Sequence, residues 1–288
     1  MKLAEFHDGR NRSLKRIRVA DCQLFGDMDC LRIETPGGTY YYGKVGAGFA
    51  SILDPDGRDW ISYRHGGKAR GEYRGLPKCG QPVKYFHCGY GFGQYTNDNP
   101  FITTITAATP ARVQLRSQSR LGDAACEWTF YRDHASLDLL RCGSNSYWFL
   151  YEGVPGGALQ ISDDFVTTSS GMKRPLSQPW EEATAWAIFT ARESTWGFWL
   201  ASHSRAVATD TASPRATYVS WPYKPEPDGG LNQMTVFGWG RLGWQDPKQH
   251  SPQLKNLPAR FSIGFSDKMN KSAIERKVAN AAATATGH

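Results

Sequence analysis

Apolar and polar residues alternate with a period of two through most of this chain, and glycines, prolines and acidic turn residues break the alternation at short intervals. Such a pattern sends successive side chains to opposite faces of an extended backbone, so it selects half-buried antiparallel strands over helices. IRVADCQLF and CLRIET flank Gly26-Asp27 as a hairpin, and GGTYYYGKV follows. GAGFASIL predicts an apolar strand, Pro55-Asp56-Gly57 a turn, and the residues that carry Trp60 and Tyr63 a returning strand. FITTITAATPARVQLRSQSR and ACEWTFYRDHASLDLLRC continue the alternation, with Trp128 and Phe130 on one face and Thr129 and Tyr131 on the other. SYWFLYEGVPGG, ATAWAIFTA, STWGFWLASHS, TYVSWPYKPEPDGGLNQMTVFGWGR and ARFSIGF supply the later strands, while SSGMKRPLSQPWEE reads as a turn-rich excursion. Only the tail near KSAIERKVANAAATA is helical, with Ile274 and Val278 four apart and an alanine run behind them.

There is no internal repeat, no low-complexity linker and no break in composition. The expectation is therefore one domain over residues 1–288: all-β, a large antiparallel two-sheet sandwich with a short C-terminal helix. A 13% aromatic content with ten Trp fills a core and leaves rings over, which would stack on sugars. The formal charge of +7 favours an anionic partner. Basic residues are scattered and no nucleic-acid motif appears, so an acidic polysaccharide or oligosaccharide is expected rather than nucleic acid. No apolar run reaches the roughly eighteen residues of a membrane span, so no membrane partner is expected. The first 21 residues have no apolar signal region; the chain is expected to be cytoplasmic, or secreted or periplasmic if a leader has been removed.

Six cysteines, Cys22, Cys30, Cys79, Cys88, Cys126 and Cys142, lie in the first half, and no CxxC pair suggests zinc. Six buried thiols are the simplest reading; in an oxidising compartment Cys79 with Cys88 is the first disulfide to test.

The stretch GEYRGLPKCGQPVKYFHCGYGFG, residues 71–93, departs furthest from what a fold alone requires. Its glycines and prolines forbid one long helix or regular strand, so it is expected to run over the surface as one wall of a substrate groove. It gathers Glu72, Arg74, Lys84, Tyr85, His87 and Tyr90: cations for an anion, an imidazole that titrates near neutral pH, and phenols.

The run GAGFASILDPDGRDWI, an apolar strand followed by Ser-x-x-Asp-x-x-Gly-x-Asp, resembles the opening of galactose-mutarotase-like proteins. YWFLYEGVPGG, MTVFGWGR and ARFSIGF are similar to segments of bacterial sandwich proteins that accompany polysaccharide-degrading systems. The resemblance implies a β-supersandwich and a carbohydrate-active protein of polysaccharide-lyase-like type. Mutarotases of that superfamily pair histidines with a late glutamate base. Here His87 with His134 or His203, and Glu193 or Glu226, would have to fill those roles, a poor match.

Cleaving a uronate polymer by β-elimination needs a cation on the carboxylate, a base for the C5 proton and an acid for the leaving oxygen. His87, Tyr90 and Arg74 are the candidate catalytic residues; Glu72, Lys84, Tyr85, Trp148, Glu152, His203 and Arg241 are candidate substrate-binding residues. Trp148 and Tyr151 have opposite parities on their strand, so at most one faces a groove. No cofactor and no metal site is expected; adjacent Asp163 and Asp164 are weak evidence for Ca²⁺. The alternatives are a glycoside hydrolase using paired carboxylates such as Glu72 and Glu152, a sugar epimerase, or a non-catalytic glycan-binding module.

Overall fold

The structure, a computed structural model, describes residues 16–63, 74–79, 86–88, 99–143, 146–203, 215–225, 231–242, 251–267 and 271–284. Among these, two nine-stranded antiparallel sheets carry the fold. The first sheet takes β1 (Arg18–Leu24), β2 (Met28–Thr35), β3 (Gly38–Gly43), β4 (Gly48–Leu53) and β5 (Gly75–Lys78) from the start of the chain. The second takes β6 (Phe101–Ala108), β7 (Val113–Ser119), β8 (Ala124–Phe130) and β9 (His134–Cys142). After β10 (Phe149–Gly153) come β11 (Phe165–Thr168), β12 (Lys173–Pro175), β13 (Trp180–Ala183), β14 (Trp186–Thr190) and β15 (Trp196–Ser202). The chain continues through β16 (Arg215–Pro225), β17 (Leu231–Trp239), the small pair β18 (Arg241–Leu242) and β19 (Ser251–Pro252), β20 (Ala259–Asp267) and α1 (Lys271–Thr284).

The order is β1-β2-β3-β4-β5-β10-β17-β16-β13 in one sheet and β12-β11-β14-β15-β20-β9-β8-β7-β6 in the other. Each sheet thus joins a run of sequential hairpins to strands from later in the chain, and each has one seam: β5 against β10, and β20 against β9.

The alternation decides which side chains meet between the sheets. Phe149 on β10 stacks flat on Phe261 on β20, with centroids 4.1 Å apart. Phe49 meets Trp128 at 4.8 Å, Trp60 meets Phe265 at 5.6 Å, and Tyr151 meets Phe198 at 5.1 Å. Edge and stacked ring pairs of this kind add to the burial of large apolar surface. Trp60, Trp128, Trp148, Trp180, Trp186, Trp199 and Trp239 are all buried, so rings that the composition left over for sugar stacking are largely spent on packing. On the outer side of the second sheet, Ile274, Val278 and Ala281 of α1 cover Trp186, Ile188, Trp199 and Ala201.

Three expectations are corrected. Trp60 to Tyr63 form no returning strand; only a single bridge joins Leu53 to Asp59, because two aspartates hold a compact turn there. The stretch around Arg74 is no surface loop where it is described: β5 lies between β4 and β10, and Arg74, Phe86, His87 and Cys88 are buried. Cys79 and Cys88 do not pair. The disulfide joins Cys22 to Cys30, which face each other across the β1–β2 hairpin with Cα atoms 5.1 Å apart, well placed for a bridge.

Candidate functional site

The seam between β5 and β10 brings together residues that are far apart in the chain. Tyr151 points into the core, so Leu150 and Glu152 belong to the outer face of the first sheet, the face turned away from the second. Glu152 stands opposite Gly75 on one side and Val236 on the other. Gly75 has no side chain, and His87 uses the space: a β-carbon there would lie 3.3 Å from His87 Cδ2 and 3.4 Å from Nε2. Directly opposed residues of a sheet lie about 5 Å apart at Cβ. The imidazole therefore sits where the cross-strand neighbour of Glu152 would have been.

The backbone of His87 is held from the other side by the β3–β4 connection. A β-carbon on Gly46 would come within 1.9 Å of the His87 carbonyl oxygen, and one on Gly48 within 2.9 Å of the Cys88 nitrogen. Only glycine lets the two backbones approach so closely. Tyr63 meets the His87 ring edge-on at 6.1 Å, and Phe25 packs on Tyr63 at 5.7 Å. Arg74, next to Gly75 in the chain, donates from Nη1 to the Ser62 carbonyl at 2.7 Å. The exposures of His87, Arg74 and Glu152 are 0%, 4% and 4%, so any charge they carry acts in a poorly screened environment.

The acidic turn before Trp60 braces this seam. Asp54 accepts the backbone N–H groups of Asp56 and Arg58 at 2.9 and 3.0 Å, the indole N–H of Trp60 at 3.1 Å and the hydroxyl of Ser194 at 3.3 Å. Asp59 accepts the N–H of Ile61 at 3.0 Å and of Ile52 at 3.3 Å, while burial raises its pKa above the ordinary carboxylate value. The turn thereby presents the Trp60 carbonyl to β10, where it accepts the Tyr151 hydroxyl at 2.6 Å and the Val154 N–H at 3.0 Å. Both ends of the Glu152 neighbourhood are thus tied down.

Of the residues singled out from sequence, Arg74, His87 and Glu152 come together at this seam. Glu72, Lys84, Tyr85 and Tyr90 lie outside the described residues. Trp148 shares the face of Glu152 but stands four positions away, about 14 Å along a strand. Arg241 is buried beyond the end of β17, five positions past Val236, and pairs in register with Pro252. His203 lies on the opposite sheet, on its outer face, where Nε2 contacts the Ser262 hydroxyl at 3.0 Å. Burial and the neighbouring Arg260 lower its pKa to about 4. Asp164 accepts the N–H groups of Gln160 and Arg192, and Asp163 pairs with Arg192 at 3.2 Å, so both acids organise a turn. Sequence reasoning passed over Gly46, Gly48, Gly75 and Tyr63; the close glycine spacing in KVGAGF was the available signal for the first two.

Two solved structures share this architecture. HI1317 superposes with a TM-score of 0.52 at 12% identity, over 86% of this chain and 100% of its own. The proposed mutarotase YeaD of Salmonella typhimurium does so with a TM-score of 0.51 at 11% identity, over 87% and 94%. The chain therefore has the fold of galactose-mutarotase-like proteins, a fold associated with carbohydrates. The sequence matches no protein-family model and no curated protein.

Proposed function

We propose that the protein is a carbohydrate-active enzyme that moves protons on a ring sugar carrying a carboxylate, and that its reaction is β-elimination within a uronate polysaccharide. The observation that carries this reading is the placing of His87 over Gly75, opposite Glu152, with Arg74 alongside. A guanidinium held in a buried site neutralises a uronate carboxylate and makes the C5 proton easier to remove. His87 takes that proton, since a neutral imidazole is the side chain best matched to proton transfer near pH 7. The carboxyl of Glu152, on the same face, serves the leaving oxygen as general acid. The formal charge of +7 agrees with an anionic substrate.

A second reading has its own support. An acid and a base facing one sugar also suffice for epimerisation at the anomeric carbon, and the solved structure of YeaD is described as that of a proposed mutarotase. One experiment separates the two. The protein is incubated with a panel of uronate polysaccharides while ultraviolet absorbance follows the new C4–C5 double bond, and with freshly dissolved aldoses while NMR follows anomer exchange. Elimination yields the chromophore; epimerisation yields accelerated exchange alone. Reducing ends without a chromophore would indicate hydrolysis and remove both readings.

A further inference from the structure

Four cysteines are free, Cys79, Cys88, Cys126 and Cys142, and all are buried. They are not equivalent. Cys88 Sγ contacts the Arg74 carbonyl at 3.7 Å, on the side of the candidate site. Cys126 Sγ contacts the Tyr42 hydroxyl at 3.8 Å, which is also 2.9 Å from the Ser117 hydroxyl. Cys79 and Cys142 are hydrogen-bonded to each other, thiol to thiol. Cys79 immediately follows β5 in the first sheet, and Cys142 is the last residue of β9 in the second, opposite Ala124. The chain already carries one disulfide, Cys22 to Cys30, so it is compatible with an oxidising compartment.

We propose that Cys79 and Cys142 form a second disulfide, a covalent strut from one sheet to the other directly behind the strand that presents Gly75. Two S–H bonds break and one S–S bond forms; the two protons and two electrons pass to a small disulfide such as oxidised glutathione, which leaves as two thiols. In the folded protein, burial raises the pKa of Cys79, so little thiolate is available for exchange. The bond therefore forms while the chain folds and only slowly afterwards.

The test uses the full chain, reduced and unfolded, then refolded in a glutathione redox buffer or in excess reductant. Thiols are counted in denaturant, and peptide masses are mapped under non-reducing conditions. With the Cys22–Cys30 bridge alone, the four free cysteines would all react. The proposal expects half of them to disappear, a linked peptide pair containing Cys79 and Cys142, and a melting temperature that falls on reduction in wild type by more than in Cys142→Ser. Retention of all four thiols after oxidative refolding overturns it, as does a bridge mapped from Cys79 to Cys88 or Cys126. The mapping is done on wild type, so it decides the matter even where a Cys→Ser variant fails to fold.

Discussion

Glu152 and His87 meet only because Gly75 between them has no side chain, and this makes the candidate chemistry sensitive to single atoms. Glu152→Gln keeps the shape and removes the titratable proton; a turnover loss of about 10²–10⁴-fold with an unchanged melting temperature is expected. Because His87 is fully buried, His87→Ala should lower both stability and turnover, and the loss of turnover should remain when rates are expressed per folded molecule. Full activity in a folded Glu152→Gln variant would move the chemistry away from this seam. Asp54 carries a different kind of weight. It accepts four hydrogen bonds while buried, so Asp54→Ala leaves several donors without partners. A cost of about 3 kcal/mol or more is expected, read from urea midpoints at constant slope. The sequence pattern Ser-x-x-Asp-x-x-Gly-x-Asp that suggested a family turns out to encode this turn, which explains why it speaks for architecture more than for chemistry.

Most strands were legible because their alternation is regular and their turns are marked by Gly26-Asp27 or Pro55-Asp56-Gly57. β5 was not, since Pro77 reads as a breaker. Its ladder to β10 uses Gly75 and Lys78 with an irregularity between, and proline is tolerated at such a place. Nor could spacing reveal that Glu152 would face Gly75: long-range register is a property of the packed sheets. The second seam holds the element most sensitive to acid. His203 contacts Ser262, which also meets Ser136 at 2.9 Å, with Arg260, Asp138 and His134 nearby. With a folded pKa of about 4 against an ordinary 6.5, His203 remains neutral in the fold while the unfolded chain takes up a proton. Stability should therefore fall as pH drops from 6.5 to 4 and be insensitive to this group outside that window, the whole effect amounting to roughly 3 kcal/mol at most. Asp133, held below its usual pKa chiefly by a hydrogen bond from His134, loses its contribution at still lower pH. His203→Gln should flatten the upper part of the profile in denaturation series at pH 7, 5.5 and 4.5; an unchanged slope would assign the acid sensitivity to other groups.

At the scale of the molecule, the excess of basic residues predicts that binding of a uronate oligosaccharide weakens with salt. Exposed charges are screened beyond a Debye length of about 8 Å at physiological ionic strength, whereas buried Arg74 is screened far less. Calorimetric titration should show affinity falling across a salt series and levelling off above zero, whereas salt-independent affinity would remove the role of the surface charge. The same buried placement accounts for what sequence could not foresee. His87 and Arg74 look like surface-loop residues in a stretch rich in glycine, yet packing against the β3–β4 connection draws them inward.

The stacked pair Phe149 and Phe261 has a consequence for the order in which the protein is made. These rings lie on β10 and β20, the two strands that each close a seam. Until β20 emerges near the end of synthesis, β9 waits with an open edge in the second sheet, and β10 lacks the ring on which it rests. Open edges of this sort invite pairing with other chains. A chain stopped before Ala259 should therefore accumulate as aggregate, even though it retains every residue of the candidate site. Recovery of a soluble, active truncation would show that the first seam assembles without the second. Although its residues are synthesised early, the site would then be among the last parts of the molecule to come into being.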